Sequence, residues 1–453
     1  MNVVIDGAGE VGSHLAKMLA REGANITVMD NDLKRLEGLA AYSAIETIEG
    51  DPSSVSALKE AHVDEADLFI ATYPYVNQEV NMVAAMLAKR MGARKVVARV
   101  KDVELLSRGV QPIVEDMGID LAFCPEKFGA DEIVSQLRRG VDSDTLDLAG
   151  GKLQIEAYRV GEDSPLLDMT LVDFTKLFST DNDVSFRVIA VSRGNSSFIP
   201  QYDTKFRFGD VVYITIRKDE LKAMTDFMGV DDIEVNKVMI MGGGMVGFLT
   251  ALNLSKEIQD VKLIELSLEK CEELCAKLPD TVAVVNGDGR NSDFLYEEGI
   301  NGYDAFVAVT GNDEVNILAC VAAKKFGVRR TVAEVENMEY VRLAEEMGVD
   351  CVINKKSVSA NRIFRLTLSE NARFVRYMNV IDAEVMEFTA APDSPITKAP
   401  LRDVDFPRDA LVGGIARGDD AFIAVGDTQV LAGDRVVIFT SPQSARKVER
   451  IFN

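Results

Sequence analysis

Apolar and polar positions along this chain change rhythm in a set order, and the order occurs twice. Asn2–Ile5 is a short apolar run that predicts a strand. Val11, Leu15, Met18 and Leu19 then recur at helical spacing, Gly23 and Ala24 stop that helix, and Asn25–Asp30 predicts a second strand. The alternation continues as helix Leu33–Ala40, strand Ala44–Glu49, helix Val55–Glu60, strand Leu68–Ala71, helix Val76–Met91 and strand Lys95–Val100. Strands separated by helices of this length predict a parallel, doubly wound sheet. An amphipathic helix over Ala130–Arg139 follows, carried by Ile133, Val134 and Leu137. The period then shortens to two in Leu153–Val160, Phe186–Arg193 and Val211–Arg217, the mark of half-buried strands, and a helix over Lys218–Ile233 closes the set.

The second pass repeats residues as well as rhythm. Gly7-Ala-Gly9-Glu-Val-Gly12 returns as Gly242-Gly-Gly244-Met-Val-Gly247, Asp30 as Glu265, and Asn77-Gln-Glu79-Val-Asn81 as Asn312-Asp-Glu314-Val-Asn316, all at an offset of 235. Further along, Gly118-Ile-Asp120 answers Gly348-Val-Asp350, Asp163-Ser-Pro165 answers Asp393-Ser-Pro395, Arg193-Gly194 answers Arg417-Gly418, and Gly209-Asp210 answers Gly433-Asp434. A second amphipathic helix is expected over Ala360–Leu368, then strands at Val385–Thr389, Ala410–Arg417 and Arg435–Thr440. The duplication therefore includes the small β-rich lobe. Four domains are expected: 1–140 and 234–370 as Rossmann-like α/β lobes, 141–230 and 371–453 as small α+β lobes.

Composition narrows the partners. Of 453 residues 47% are apolar and 27% charged, as in ordinary globular chains, and 73 acidic against 50 basic side chains leave a net charge of −23. Such a field repels nucleic acid and anionic lipid at long range, while leaving helix N-termini and a few placed arginines free to bind phosphate locally. No apolar run approaches a membrane span, and the N-terminal residues read as a strand with no basic leader, so a cytoplasmic protein is expected. Five cysteines without disulfide rhythm suit a reducing compartment. Cys271 and Cys275 lie one helical turn apart, but no second pair of metal ligands stands near them.

The chemistry resides in the glycine loops. Each follows a strand, opens a helix and meets an acidic residue 18 positions past its third glycine. Gly7 or Gly242 permits the tight turn, Gly9 or Gly244 lets a diphosphate approach, and Gly12 or Gly247 lets helix and strand pack closely. The amides of Glu10, Val11 and Gly12, and of Met245, Val246 and Gly247, are candidate phosphate donors. Asp30 and Glu265 suit a ribose diol and repel a 2′-phosphate, which favours NAD or plain adenine nucleotides over NADP. The alternative is that the glycines only make a tight joint. Asp51 and Asp288, after Gly50 and Gly287, end the third strands where adenine would lie, or else form an Asx-type turn. Thr72 and Thr310 end the fourth strands at the same crevice, where capping is the competing role.

Arg99 and Lys101, just past the fifth strand, are the phosphate-directed cations of the first copy, unless Arg99 pairs with a carboxylate instead. Glu334 takes the place of Arg99 in the second copy and would repel a triphosphate. No catalytic set accompanies these sites. Hydride transfer needs a proton-moving group, and the two histidines, His14 and His62, do not recur in the second copy. A non-enzymatic sensor is expected, with a freestanding nucleotide sensor and an NAD-dependent oxidoreductase as the competing classes.

This doubled order of glycine loop, acidic strand end, Gly-Asp, Asn-x-Glu-Val-Asn and Asp-Ser-Pro resembles the bacterial and archaeal Trk-system potassium uptake proteins, built from two tandem RCK (KTN) units. The resemblance spans essentially the whole chain and implies two Rossmann-like lobes, each followed by an RCK-C lobe. It further implies a peripheral cytoplasmic subunit that binds NAD(H), ATP or ADP and gates a TrkH-type membrane potassium channel. Four chains would form a ring of eight RCK units. Matched to the family's nucleotide positions are Gly7, Gly9, Gly12, Asp30, Asp51, Thr72 and Arg99, then Gly242, Gly244, Gly247, Glu265, Asp288 and Thr310. The helices at Ala130–Arg139 and Ala360–Leu368 are then candidates for lobe-to-lobe contact, with packing inside their own domain as the alternative.

Overall fold

The computed structural model describes residues 1–21, 23–73, 78–107, 109–138, 146–148, 150–182, 184–193, 196–229, 235–364, 372–378 and 383–452. Its first sheet holds six parallel strands: β1 (Asn2–Asp6), β2 (Asn25–Asp30), β3 (Ile45–Glu49), β4 (Leu68–Ala71), β5 (Lys95–Arg99) and β6 (Leu121–Phe123), in the order β3-β2-β1-β4-β5-β6. Val3, Val4, Ile5, Phe69, Ile70 and Val97 are all buried, which is what a strand covered by helices on both faces requires. Helices α1 (Glu10–Arg21), α2 (Leu33–Ala40), α3 (Val55–Glu60), α4 (Gln78–Met91), α5 (Gln111–Asp116) and α6 (Pro125–Arg138) make the crossovers and the exit. The order reverses between β1 and β4, and ligands of open α/β sheets bind at such a reversal.

The first small lobe is a five-stranded antiparallel sheet of β7 (Leu146–Leu148), β8 (Leu153–Arg159), β9 (Phe186–Arg193), β10 (Ser196–Phe198) and β11 (Val211–Arg217), ordered β10-β9-β11-β8-β7, with helices α7 (Leu171–Asn182) and α8 (Leu221–Met228). The second copy repeats the scheme: β12 (Lys237–Met241), β13 (Asp260–Glu265), β14 (Val282–Asn286), β15 (Ala305–Ala308), β16 (Arg330–Glu334) and β17 (Cys351–Ile353). Between them run α9 (Met245–Leu254), α10 (Leu268–Lys277), α11 (Ser292–Glu297), α12 (Asp313–Lys325) and α13 (Met338–Glu346), followed by α14 (Lys355–Phe364). Its small lobe joins β18 (Ala372–Met378), β19 (Ala383–Thr389), β20 (Ala410–Arg417), β21 (Asp420–Phe422) and β22 (Arg435–Thr440), with α15 (Pro442–Phe452) at the end.

Boundaries moved where local chemistry outweighs the apolar stripe. Helix α6 starts at Pro125, five residues before the expected Ala130, because proline at the first helical position sacrifices no hydrogen bond. Helix α14 starts at Lys355 because the Asn354 Oδ1 accepts from the Ser357 amide at 2.9 Å and caps it. Gly229, at φ 67°, ends α8, and the expected continuation over 230–233 lies outside the described residues, as do Val76, Asn77, Arg139 and 365–368 of other expected helices.

By contact density the chain divides into two compact units, Met1–Glu132 with Ile353–Thr367, and Ile133–Val352 with Leu368–Asn453. In the first unit α14 packs on α1, the Arg362 guanidinium lies 4.0 Å from the Phe128 ring centroid, and Ser357 Oγ is 3.5 Å from His14 Nε2. A helix belonging by sequence to the second copy thus completes the first lobe. In the second unit the two small sheets share one core, with Leu153, Ile155 and Tyr213 against Val385, Ala416 and Phe439. The arginine of each repeated Arg-Gly and the aspartate of each repeated Gly-Asp meet inside each small lobe: Arg193 grips Asp210 through two hydrogen bonds of 2.8 and 2.7 Å, and Arg417 grips Asp434 at 2.9 and 2.7 Å. Bidentate pairs on buried carboxylates fix these strand ends, so that repeat is structural.

Candidate nucleotide-binding sites

Of the three glycines in each loop, two are demanded by the chain itself. Gly7 and Gly242 have φ of +102° and +111°, in the left-handed region, and an added Cβ would stand 2.7–2.8 Å from the backbone after β4 or β15. A Cβ on Gly12 or Gly247 would stand 1.9 Å from the carbonyl oxygen of Gly7 or Gly242. Gly9 and Gly244 differ. Neither has a left-handed φ, and a Cβ at either would meet nothing within 4 Å. Among the described residues nothing asks for glycine there.

The amides behind them point outward from the helix ladder. Ser13 N donates to Gly9 O at 2.8 Å and Phe248 N to Gly244 O at 2.8 Å, so the amides of Glu10, Val11 and Gly12, and of Met245, Val246 and Gly247, precede the first helical hydrogen bond. Val11 and Val246 are buried and offer only their amides, while Glu10 and Met245 expose side chains beside the loop. These donors and the helix dipole make each N-terminus an anion site in form.

Both strand-end carboxylates brace the loop. Asp30 accepts from Ala8 N at 2.7 Å and Asp32 N at 2.9 Å, and is fully buried. Glu265 accepts from Gly243 N at 2.8 Å and Ser267 N at 2.9 Å, and lines a cavity of about 380 Å³ together with Gly242–Gly244, Lys270, Asp288, Arg290 and Thr310. Burial tends to raise the Glu265 pKa, but the two amides and Lys270, 3.6 Å away, outweigh it and hold the carboxyl below its usual range.

Thr72 and Thr310, expected as counterparts, occupy different positions. Thr72 N donates to Asp6 O and Val309 N to Met241 O, so Val309 answers Thr72 and Thr310 answers Tyr73. Compensating two-residue length changes, one before β3 and β14 and one after β4 and β15, conceal the slip in sequence. Thr72 is buried, its hydroxyl donating to Gly7 O at 3.2 Å, and Thr310 lines the second cavity while donating to Asn316 Oδ1 at 2.6 Å. Asn81 and Asn316 bridge from the loop to the next strand end, donating to Tyr73 O and Arg99 O, and to Thr310 O and Glu334 O, at 2.8–3.0 Å.

Asp51 is exposed and held low by the Ser53 hydroxyl and amide; Asp288 is held low by Arg290, whose guanidinium bonds both its oxygens. Arg99 closes β5 and is nearly buried, with its Nη2 donating to Glu126 Oε1 at 3.0 Å. The carboxylate partner weighed for it is therefore present, at the start of α6. Lys101 lies on the exposed loop, where its amide donates to Gln78 Oε1 at 2.8 Å. Glu334 is buried at the end of β16.

With this geometry in view, the comparisons with known proteins are specific. The family model described as the TrkA-N domain matches residues 3–125 and again 238–355, and that of the TrkA-C domain matches 155–229 and 385–453. The chain belongs to the TrkA family. It is 33% identical over 454 residues to the Trk system potassium uptake protein TrkA homolog of Archaeoglobus fulgidus, covering all of both chains. Against the Halomonas elongata TrkA it is 31% identical over 457 residues, covering 100% of this chain and 98% of that one. In fold it is similar to the GsuK RCK domain, with a TM-score of 0.59 at 19% identity, covering 99% and 94% of the two chains. A structure of the GsuK channel bound to NAD matches at 0.60 and 18%, covering 99% and 78%.

Within the TrkA framework three features escaped sequence reasoning. Arg35 and Lys270 each stand 3.6 Å from the strand-end carboxylate, five residues after it; that shared spacing was a usable signal. Arg290 lines the second cavity. Asp6 ends β1 fully buried, and among the described residues neither oxygen has a hydrogen-bond partner. Burial first, then Asp30 and Asp51, push its carboxyl well above the usual range. Met241 holds the equivalent place in the second copy. Among the described residues no three His, Cys, Asp or Glu side chains are grouped to hold a metal ion, and no helix is long and apolar enough to cross a membrane.

Proposed function

We propose that this chain is a nucleotide-binding regulatory subunit of a potassium uptake system. Its glycine loops take the diphosphate of NAD(H), ADP or ATP, with Asp30 or Glu265 toward the ribose and the Gly50-Asp51 or Gly287-Asp288 turn toward the adenine. Ligand occupancy biases the shape of a ring of four chains, eight RCK units in all, which acts on a TrkH-type membrane channel from its cytoplasmic side. A tenfold bias in opening needs about 1.4 kcal/mol of differential binding between two ring shapes, which a few phosphate contacts supply. Supporting the potassium assignment are full-length relatives named for potassium uptake. Regulation rather than hydride transfer fits the histidines: His14 faces Ser357, and His62 sits in a left-handed corner at φ 51°.

The observation that carries the ligand is the free space at Gly9 and Gly244. A glycine kept where neither backbone nor packing needs it is accounted for by something that approaches from outside. The test is calorimetry of the full chain with ATP, ADP, NAD and NADH on wild type, Gly9→Val, Gly244→Val and the double variant. Each single variant should lose one class of sites and keep its thermal unfolding within about 1 kcal/mol, the cost of a poorer helix cap. If the double variant binds as wild type does, or wild type binds none of the four, the loops are structural joints and the proposal fails.

A further inference from the structure

The first glycine loop has a neighbour that its own copy does not supply. Lys356, on the first turn of α14, places Nζ 2.9 Å from Oε2 of Glu10, the first residue of α1 and of the loop's amide donors. The lysine side chain is 13% exposed and the glutamate 67%, so the ammonium is largely withdrawn from water while its counter-ion is not. The placement is held from several sides. Asn354 caps α14, Ser357 meets His14 one turn further along α1, and Arg362 stacks on Phe128. An anion at the N-terminus of α1 would meet an ammonium already docked on that turn. The first copy's own strong cation, Arg99, is engaged with Glu126 instead. At the position answering Glu126 stands Lys356 itself, by the repeat that aligns Cys124-Pro-Glu126 with Asn354-Lys-Lys356.

We infer that Lys356 is a phosphate-binding residue of the first site, contributed by the second copy's helix, and that the Glu10 carboxylate competes with the ligand's phosphate for it. The inference rests on the nucleotide reading above and adds a residue, a competitor and a sign to it. A terminal phosphate draws Lys356 away from Glu10, and because α14 continues directly from β17, occupancy of the first loop is felt by the chain of the second copy. Removing the ammonium must weaken binding, and neutralising Glu10 must strengthen it. A merely structural ion pair predicts the same sign, or no effect, for both.

The experiment is calorimetry of the full chain carrying Gly244→Val, so that the first loop is read alone, with ADP and AMP as probes. Lys356→Gln should weaken ADP about fivefold and AMP by less than half that factor, as expected for loss of one partly shielded charge. Glu10→Gln should tighten ADP about twofold, and Lys356→Arg should keep the wild-type ratio of ADP to AMP affinity. Equal weakening of both probes by Lys356→Gln, or weakening by Glu10→Gln, overturns the inference while leaving the nucleotide reading in place. If wild type binds ADP and the Gly244→Val chain does not, the first loop is no phosphate site and the inference falls. If wild type binds neither probe nor any nicotinamide nucleotide, the nucleotide reading fails first and takes this one with it.

Discussion

In the first copy the strand-end carboxylate is Asp30, sealed from solvent and bonded to the amides of Ala8 and Asp32; in the second it is Glu265, bonded to Gly243 and Ser267 and open to a cavity. The bracing is the same and the residues around it have changed in pairs. Glu265 is one methylene longer than Asp30, and where the first copy has Ala8 the second has Gly243, whose added Cβ would stand 2.9 Å from Glu265 Oε2. Met241 replaces Asp6, and Gly289 stands in place of Pro52, with an added Cβ 2.5 Å from Met241 Cγ. At the sequence positions answering Arg99 and Glu126, which pair in the first copy, stand Glu334 and Lys356, so the residue charges are exchanged. Loop shape is therefore what both copies keep, while polarity around the loop is what they vary, so two loops of one architecture would present different fields to a phosphate ligand.

The comparison breaks hardest at the glycines. Gly12→Ala drives a Cβ to within 1.9 Å of Gly7 O, and Gly247→Ala does the same at Gly242 O. Backbone must move, and each substitution should cost more than about 3 kcal/mol in chemical denaturation, above the usual range for overpacking. Gly9→Ala and Gly244→Ala should each cost less than about 1 kcal/mol. Similar losses at all four positions would show that the middle glycines serve the fold.

Reversal of the charge exchange comes next. Arg99→Glu leaves a carboxylate in a nearly buried position facing Glu126, and the first unit should lose about 3 kcal/mol in urea unfolding. Adding Glu126→Lys, which imports the charges of the second copy, should recover most of that loss. No recovery would mean that the site at the end of β5 tolerates only one polarity.

Asp6 sharpens the comparison through pH. Its folded-state pKa is raised, so between the ordinary carboxylate range and the raised value the folded chain binds a proton that the unfolded chain has released. Stability should then fall as pH rises through that window, by about 1.4 kcal/mol per pH unit while it lasts. Facing this carboxyl are Asp30 and Asp51, which oppose its ionisation; Tyr73 interacts with both Asp6 and Asp30, and Arg35 stands 3.6 Å from the Asp30 carboxylate. Asp6→Asn should match wild type below the ordinary carboxylate range and become the more stable chain as pH rises above it, the gap widening until the raised value is passed. Parallel stability curves for the two chains from pH 5 to 8 would show that Asp6 does not titrate there.

What the sequence revealed and what it hid follow one physical line. Buried parallel strands write themselves as apolar runs and half-buried antiparallel ones as alternation, so β2 and β4, and likewise β9, β11, β20 and β22, stand where the pattern placed them. Three-residue strands such as β6 and β17 are too short to carry a period, and they passed unseen. Helix α14 was visible as an amphipathic stripe, but a stripe does not name the surface that covers it, and its seat on α1 needed coordinates. Likewise the three glycines of each loop look alike as letters. Only the space around each one separates those the fold requires from the one it does not.

The smallest expected effect lies in the loop's second residue. Gly243→Ala restores the methyl that Ala8 carries in the first copy, and that methyl meets Leu274 Cδ1 at 2.5 Å as well as the Glu265 carboxylate. Both are side-chain ends able to yield, so the cost should be about 1–2 kcal/mol in thermal or urea unfolding. Glu265→Asp shortens the carboxylate to the first copy's length and makes the room, at the price of a longer reach to the Gly243 and Ser267 amides. If the paired changes are one device, the double variant is more stable than the sum of the singles by at least about 0.5 kcal/mol. Strict additivity would mean that Leu274, and not the carboxylate, keeps glycine at this position, and the two copies would then differ here through packing alone.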